Sequence, residues 1–65
     1  MIVNFYKMKY SNYRNCELLA TRNIEYVPND SMFVEYNGQH FKISRVFFNI
    51  DKCRYDIYMA RVWNI

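Results

Sequence analysis

Apolar and polar positions alternate most regularly between Met32 and Met59, in MFVEYNGQHFKISRVFFNIDKCRYDIYM. Alternation with a period of two is the signature of strands with one buried face. Asn37-Gly38 interrupts the first run, and this pair favours a type I′ turn, which needs positive φ at both central residues. The turn sets Tyr36 against Gln39, Val34 against Phe41 and Met32 against Ile43. One face then collects Met32, Val34, Tyr36, Phe41 and Ile43, and the other Phe33, Glu35, His40 and Lys42. A second reversal at Asp51-Lys52 sets Ile50 against Cys53, Phe48 against Tyr55 and Val46 against Ile57. The two hairpins disagree in phase. The first points Phe41 and Ile43 inward, whereas the second points Val46, Phe48 and Ile50 inward. One extra residue at Ser44-Arg45, a β-bulge or sharp bend, reconciles them. On this reading Val46, Phe48, Ile50, Tyr55 and Ile57 are buried with Val34, Phe41 and Ile43, and Phe48→Ala costs roughly 3–5 kcal/mol.

The flanks carry weaker patterns. Ile2 to Tyr10 is β-prone. Met8 is a second candidate start, on which reading the first seven residues are dispensable. Ser11 to Asn15 is polar and turn-like. Cys16 to Arg22 (CELLATR) is readable as a helical turn or as a strand continuing through Ile24 to Val27, and the strand is preferred. Pro28 to Ser31 is a turn. Ala60 to Ile65 extends the last strand and brings Val62 and Trp63 to an edge. These elements predict a single all-β domain over residues 1–65, a small SH3-like barrel or β-roll of about five antiparallel strands.

Sixty-five residues supply only a small core, and such domains gain from a staple or a partner. Cys16 and Cys53 are read as reduced thiols of a cytoplasmic protein, with Cys53 facing inward. No apolar run is long enough to span a bilayer. The net charge of +3 resides in the first fifteen residues, which hold Lys7, Lys9 and Arg14 and no acid. A solvated basic strand explains so small a charge, and an anion-facing surface is the functional alternative.

No catalytic constellation is legible. The lone histidine, His40, faces Glu35 as a cross-strand partner and has no nucleophile beside it. Two Cys and one His fall one ligand short of a closed zinc site. The single glycine is committed to the turn, which leaves none for a phosphate loop. The expectation is a protein without enzymatic activity and without a cofactor or metal. Arginine and aromatic side chains stand out instead. The outward face of the second hairpin sets Arg45 opposite Tyr58, Phe47 opposite Asp56 and Asn49 opposite Arg54. Tyr10, Tyr13 and Trp63 add rings near Lys7, Lys9, Arg14 and Arg61. A barrel this small must bury many of its thirteen aromatics. Those left outside beside arginines suit stacked bases, a nucleotide or a protein interface. Surplus apolar residues (Phe33, Phe47, Tyr58, Trp63) predict a two-fold homodimer, with a cleft where Arg45, Arg54 and Arg61 meet an anionic ligand.

From Glu25 to Val62 the pattern EYVPND-x-MFVEYNGQHFKISRVFFNIDKCRYDIYMARV resembles short bacteriophage or prophage proteins that form small β-barrels. It shares their Pro-containing turn, Asn-Gly hairpin, and middle strand ending in an acidic turn. The resemblance implies a viral accessory protein in the host cytoplasm, an anti-defence or host-takeover inhibitor. Such a protein binds a host or defence-system protein, or sequesters a nucleotide signal. A nucleic-acid-binding protein of SH3 or OB type is the alternative. Arg45, Phe47, Arg54, Tyr58, Arg61, Trp63, Lys7, Lys9 and Arg14 are the expected partner-binding residues, and no membrane is involved.

Overall fold

The computed structural model describes residues 1–10 and 12–63, with Tyr13 described by its backbone alone. Five strands form one sheet: β1 (Ile2–Lys9), β2 (Asn12–Asn23), β3 (Phe33–Tyr36), β4 (Gln39–Asn49) and β5 (Arg54–Val62). The described residues contain no helix. Strand order is β2-β1-β5-β4-β3, and the sheet curls into a half-barrel around its apolar inner face. The hydroxyl of Tyr36 donates to the Leu19 carbonyl at 3.2 Å, so the edges β3 and β2 approach one another across the open side.

Both hairpin registers agree with the hydrophobic pattern. Val34 pairs with Phe41 and Tyr36 with Gln39. Asn37 and Gly38 take φ of 51° and 73°, the type I′ signature. A Cβ at Gly38 would touch nothing within 4 Å, so only the backbone resists a side chain there. Gly38→Val is expected to cost about 1–2 kcal/mol, and an unchanged melting temperature would contradict that turn. In the second hairpin Phe48 pairs with Tyr55 and Val46 with Ile57, and the register slips between Ile43 and Arg45. This is the bulge expected at Ser44-Arg45. The reversal itself is wider than two residues. It runs from Ile50 to Cys53, with Lys52 N–H donating to Asn49 Oδ1 at 3.1 Å and Cys53 at φ 49°.

The fully buried cluster is Val3, Phe41, Ile43, Ile57 and Met59, with Phe5, Leu19, Ile24, Val27, Val34, Tyr36, Val46 and Tyr55 packed around it. Two residues expected in it lie outside. Phe48 is 53% exposed and Ile50 77% exposed. They sit on the core side of their hairpin, but β3 ends opposite Lys42, and beyond it the edge of β4 away from β5 has no described strand beside it. Phe48 rests on Tyr55 at 4.9 Å between ring centres. Phe48→Ala is therefore expected to cost about 1 kcal/mol, the value for a half-buried ring and well below the 3–5 kcal/mol of a core position. Chevron or urea midpoints would decide between the two. Cys53 is exposed rather than inward, because it belongs to the turn, and Cys16 is partly buried; both thiols are free.

Other boundaries shift as well. β2 begins at Asn12 and ends at Asn23, so it absorbs most of the expected polar turn and stops short of Val27. Of that turn, Ser11 lies outside the described residues. β5 ends at Val62 and Trp63 follows it, exposed. Asn64 and Ile65, expected to extend the strand, also lie outside the described residues. Three strand pairings are antiparallel, but β1 and β5 are parallel, Val3 through Lys7 matching Tyr55 through Met59. Five strands that each reverse the last leave the first and fifth pointing the same way, so their contact must be parallel. β1 is thus an interior strand, paired on both edges, with Val3 0% exposed, and the first seven residues are not dispensable to this fold.

Candidate functional site

The outer face of β1, β5 and β4 carries a ladder of polar and aromatic side chains. Its polar half begins at Thr21 on β2, whose hydroxyl donates to Asn4 Oδ1. Asn4 Nδ2 donates to Asp56 Oδ1 at 3.3 Å. Arg54 Nε stands 3.2 Å from the same carboxylate oxygen. That distance makes an ion pair, but the approach is off the line a hydrogen bond requires. Asn4 and Asp56 are both buried and directly opposed across the parallel β1–β5 pair. Two polar side chains at this depth are tolerable because they satisfy one another.

The aromatic half lies one rung further along. Tyr6 stacks on Tyr58 with ring centres 5.0 Å apart and planes 13° from parallel. Phe47 meets Tyr58 edge-on at 5.6 Å and 83°. Alternation puts Tyr6, Tyr58 and Phe47 on one face, and the register that aligns Tyr6 with Tyr58 also aligns Arg45 with Tyr58. Arg14, Phe47, Phe48, Asn49, Asp56 and Tyr58 line a shallow depression of about 420 Å³.

Burial pushes the Tyr58 phenol above its ordinary value of 10.0, and the Asp56 carboxylate adds to the shift while Arg54 opposes it. The folded state therefore holds the phenolic proton more tightly than the unfolded chain. Its contribution to stability is fully present below pH 10.0 and is lost as the pH rises through the folded value. Tyr58→Phe should flatten the alkaline loss of stability in denaturant titrations above pH 10.0, and an identical alkaline profile would contradict the assignment.

The expected partner-binding residues divide into two groups. Arg14, Arg45, Phe47, Arg54 and Tyr58 share the outer face. Arg61 lies opposite Phe41, on the inner side, with its guanidinium 5.9 Å from the Phe41 ring and 4.0 Å from that of Trp63. Arg61 thus cannot meet Arg45 and Arg54 on one surface of the chain. Lys7 is half-buried, level with Met59 and Glu17, and Lys9 is exposed at the end of β1. The side chain of Tyr13 lies outside the described residues. Phe33 is exposed, with Lys42 Nζ 5.8 Å above its ring. His40 Nε2 pairs with Glu35 at 3.3 Å, the cross-strand contact expected.

The Asn4–Asp56 pair went unseen in the sequence. Its one signal is a carboxylate in the middle of the otherwise aromatic and apolar run Tyr55 to Met59. Among the described residues no group of three or more His, Cys, Asp or Glu is placed to hold a metal ion, and no helix is long and apolar enough to cross a membrane. Comparison with protein-family models, with curated proteins and with solved structures returns no match.

Proposed function

We propose that the protein is a non-enzymatic inhibitor of the bacteriophage accessory kind, which acts in the host cytoplasm by occupying a host or defence-system protein through its outer face. One observation carries the reading: the Tyr6–Tyr58–Phe47 ring cluster is framed by arginines, and one of them, Arg54, is already neutralised by Asp56. Aromatic anchors with arginines at their border are the composition of protein interfaces. The buried carboxylate argues against an anionic ligand at the same place, because a phosphate approaching Arg54 would also approach Asp56.

The test is capture from host lysate by the parent protein, with and without nuclease, beside Phe47→Ser and Arg14→Glu variants. A partner retained after nuclease and in high salt, and lost with either variant, is the expected result. Nucleic-acid binding is the second reading, favoured by Arg14 and Phe47 lining one open depression. It predicts retention that vanishes with nuclease, and oligonucleotide affinity that falls steeply with salt as phosphate counterions are released. A nucleotide-sequestering version would instead show saturable binding of a single nucleotide. Either outcome would displace the protein-docking proposal.

A further inference from the structure

The inner face leaves two apolar features open. The first is a cleft of about 200 Å³ between the edges β2 and β3, with Phe5, Leu19, Ala20, Val34 and Met59 in its lining, Arg22 at the β2 wall and Glu35 at the β3 wall. The second is the β4–β5 tip, where Phe48 and Ile50 are exposed and the charged pair Asp51 and Lys52 follows at once.

We propose that these are the two halves of one contact: the tip of one copy seats Ile50 in the cleft of a second copy, and the same two-fold seats the second tip in the first cleft. Three observations support this arrangement. Phe48 aligns with Tyr55, and Tyr55 with Val3, so the tip presents its apolar side on the face that contains the cleft. Two features on one face are what a reciprocal, closed contact requires. Next, the Tyr36 hydroxyl in the cleft lining already donates to the Leu19 carbonyl, so an aliphatic side chain entering there leaves that donor satisfied. Finally, the charges match. Asp51 at the tip and Arg22 at the cleft wall are opposite in sign and both exposed, whereas Glu35 is already paired with His40 on the outer face. Asp51 faces Arg22 of the second copy. This interface differs from an outer-face dimer built on Phe33, Phe47 and Tyr58, and it leaves the ring cluster accessible.

The experiment follows oligomeric state by light scattering over a dilution series of the full chain. Parent, Ile50→Asp, Asp51→Arg and the double variant Asp51→Arg/Arg22→Asp are compared, and far-UV circular dichroism verifies that each is folded. All three positions are exposed, so folding is preserved. The parent is expected to dimerise and Ile50→Asp to remain monomeric at concentrations where the parent is paired. Asp51→Arg should weaken the dimer by roughly tenfold, since the pair occurs twice per dimer. Adding Arg22→Asp should restore most of that loss, because it rebuilds the pair with its signs exchanged. A parent that is monomeric throughout, an Ile50→Asp protein that dimerises like the parent, or a double variant no better than Asp51→Arg would each overturn the proposal. A dimer abolished by Phe47→Ser but not by Ile50→Asp would do the same and would place the contact on the outer face.

Discussion

Phe41→Ala is expected to leave the chain without a cooperative unfolding transition at room temperature. Phe41 is 0% exposed and sits among Val3, Ile43, Ile57 and Met59, so its ring touches strands from both ends of the chain. Removing a ring from a closed core costs about 3–5 kcal/mol, through lost transfer energy and the cavity left behind. A domain of 65 residues has a total stability of about 3–10 kcal/mol on the usual per-residue scale. The loss is thus a large share of what is available, and all of it at the lower end of that range. Phe41→Leu, which keeps most of the volume, should cost about 1.5 kcal/mol or less and remain folded. Urea unfolding followed by circular dichroism separates the two. A Phe41→Ala protein with a sharp transition near that of the parent would mean that this cluster is not what holds the sheet together.

Asp56→Ala is the second large effect. The substitution removes the carboxylate that accepts from Asn4 and pairs with Arg54, and strands both beneath the outer face. Breaking a fully buried ion pair costs about 3–5 kcal/mol. Here the Arg54 side chain is 28% exposed and the Asp56 side chain 12%, so water recovers part of that penalty and about 2–3 kcal/mol is expected. The cause can be isolated. Asp56→Leu combined with Arg54→Met removes both charges and should recover much of the stability, since an apolar pair of similar size needs no desolvation. If the double variant were as unstable as Asp56→Ala, the damage would come from packing against Asn4 rather than from an abandoned charge.

The features legible in the sequence were those written into short stretches of chain. Asn37-Gly38 determined one register, the pairing of Phe48 with Tyr55 and Val46 with Ile57 determined the other, and their clash in phase placed the bulge. These are local facts, because each strand and its partner lie within one hairpin. Alternation says which side a residue faces, but it does not say whether anything covers that side. For this reason Phe48 and Ile50 could be assigned to the core face while their exposure depended on where β3 ends, which nothing in β4 itself specifies. The parallel contact between β1 and β5 was invisible for a related reason. It joins segments some fifty positions apart (Asn4 to Asp56 is a separation of 52) with no turn between them to fix their register. The aromatic rungs of the candidate site were partly legible, Arg45 with Tyr58 and Phe47 with Asp56. Tyr6 was not, because it belongs to β1.

A strand that must wait for a partner from the far end of the chain governs how the protein is made. β1 is an interior strand of the sheet, and one of its two neighbours, β5, comes last in chain order among the five described strands. On a ribosome, the β1–β2 hairpin emerges with the apolar side chains Val3 and Phe5 beside an unpaired backbone edge. Neither β3 nor β4 can cover that edge, because neither is adjacent to β1. Contacts this distant in sequence slow folding, and an uncovered edge during the delay invites pairing with other chains. The β1 edge therefore stays open until β5 has been made, and it is covered in one step, when Ile57 and Met59 pack against Val3.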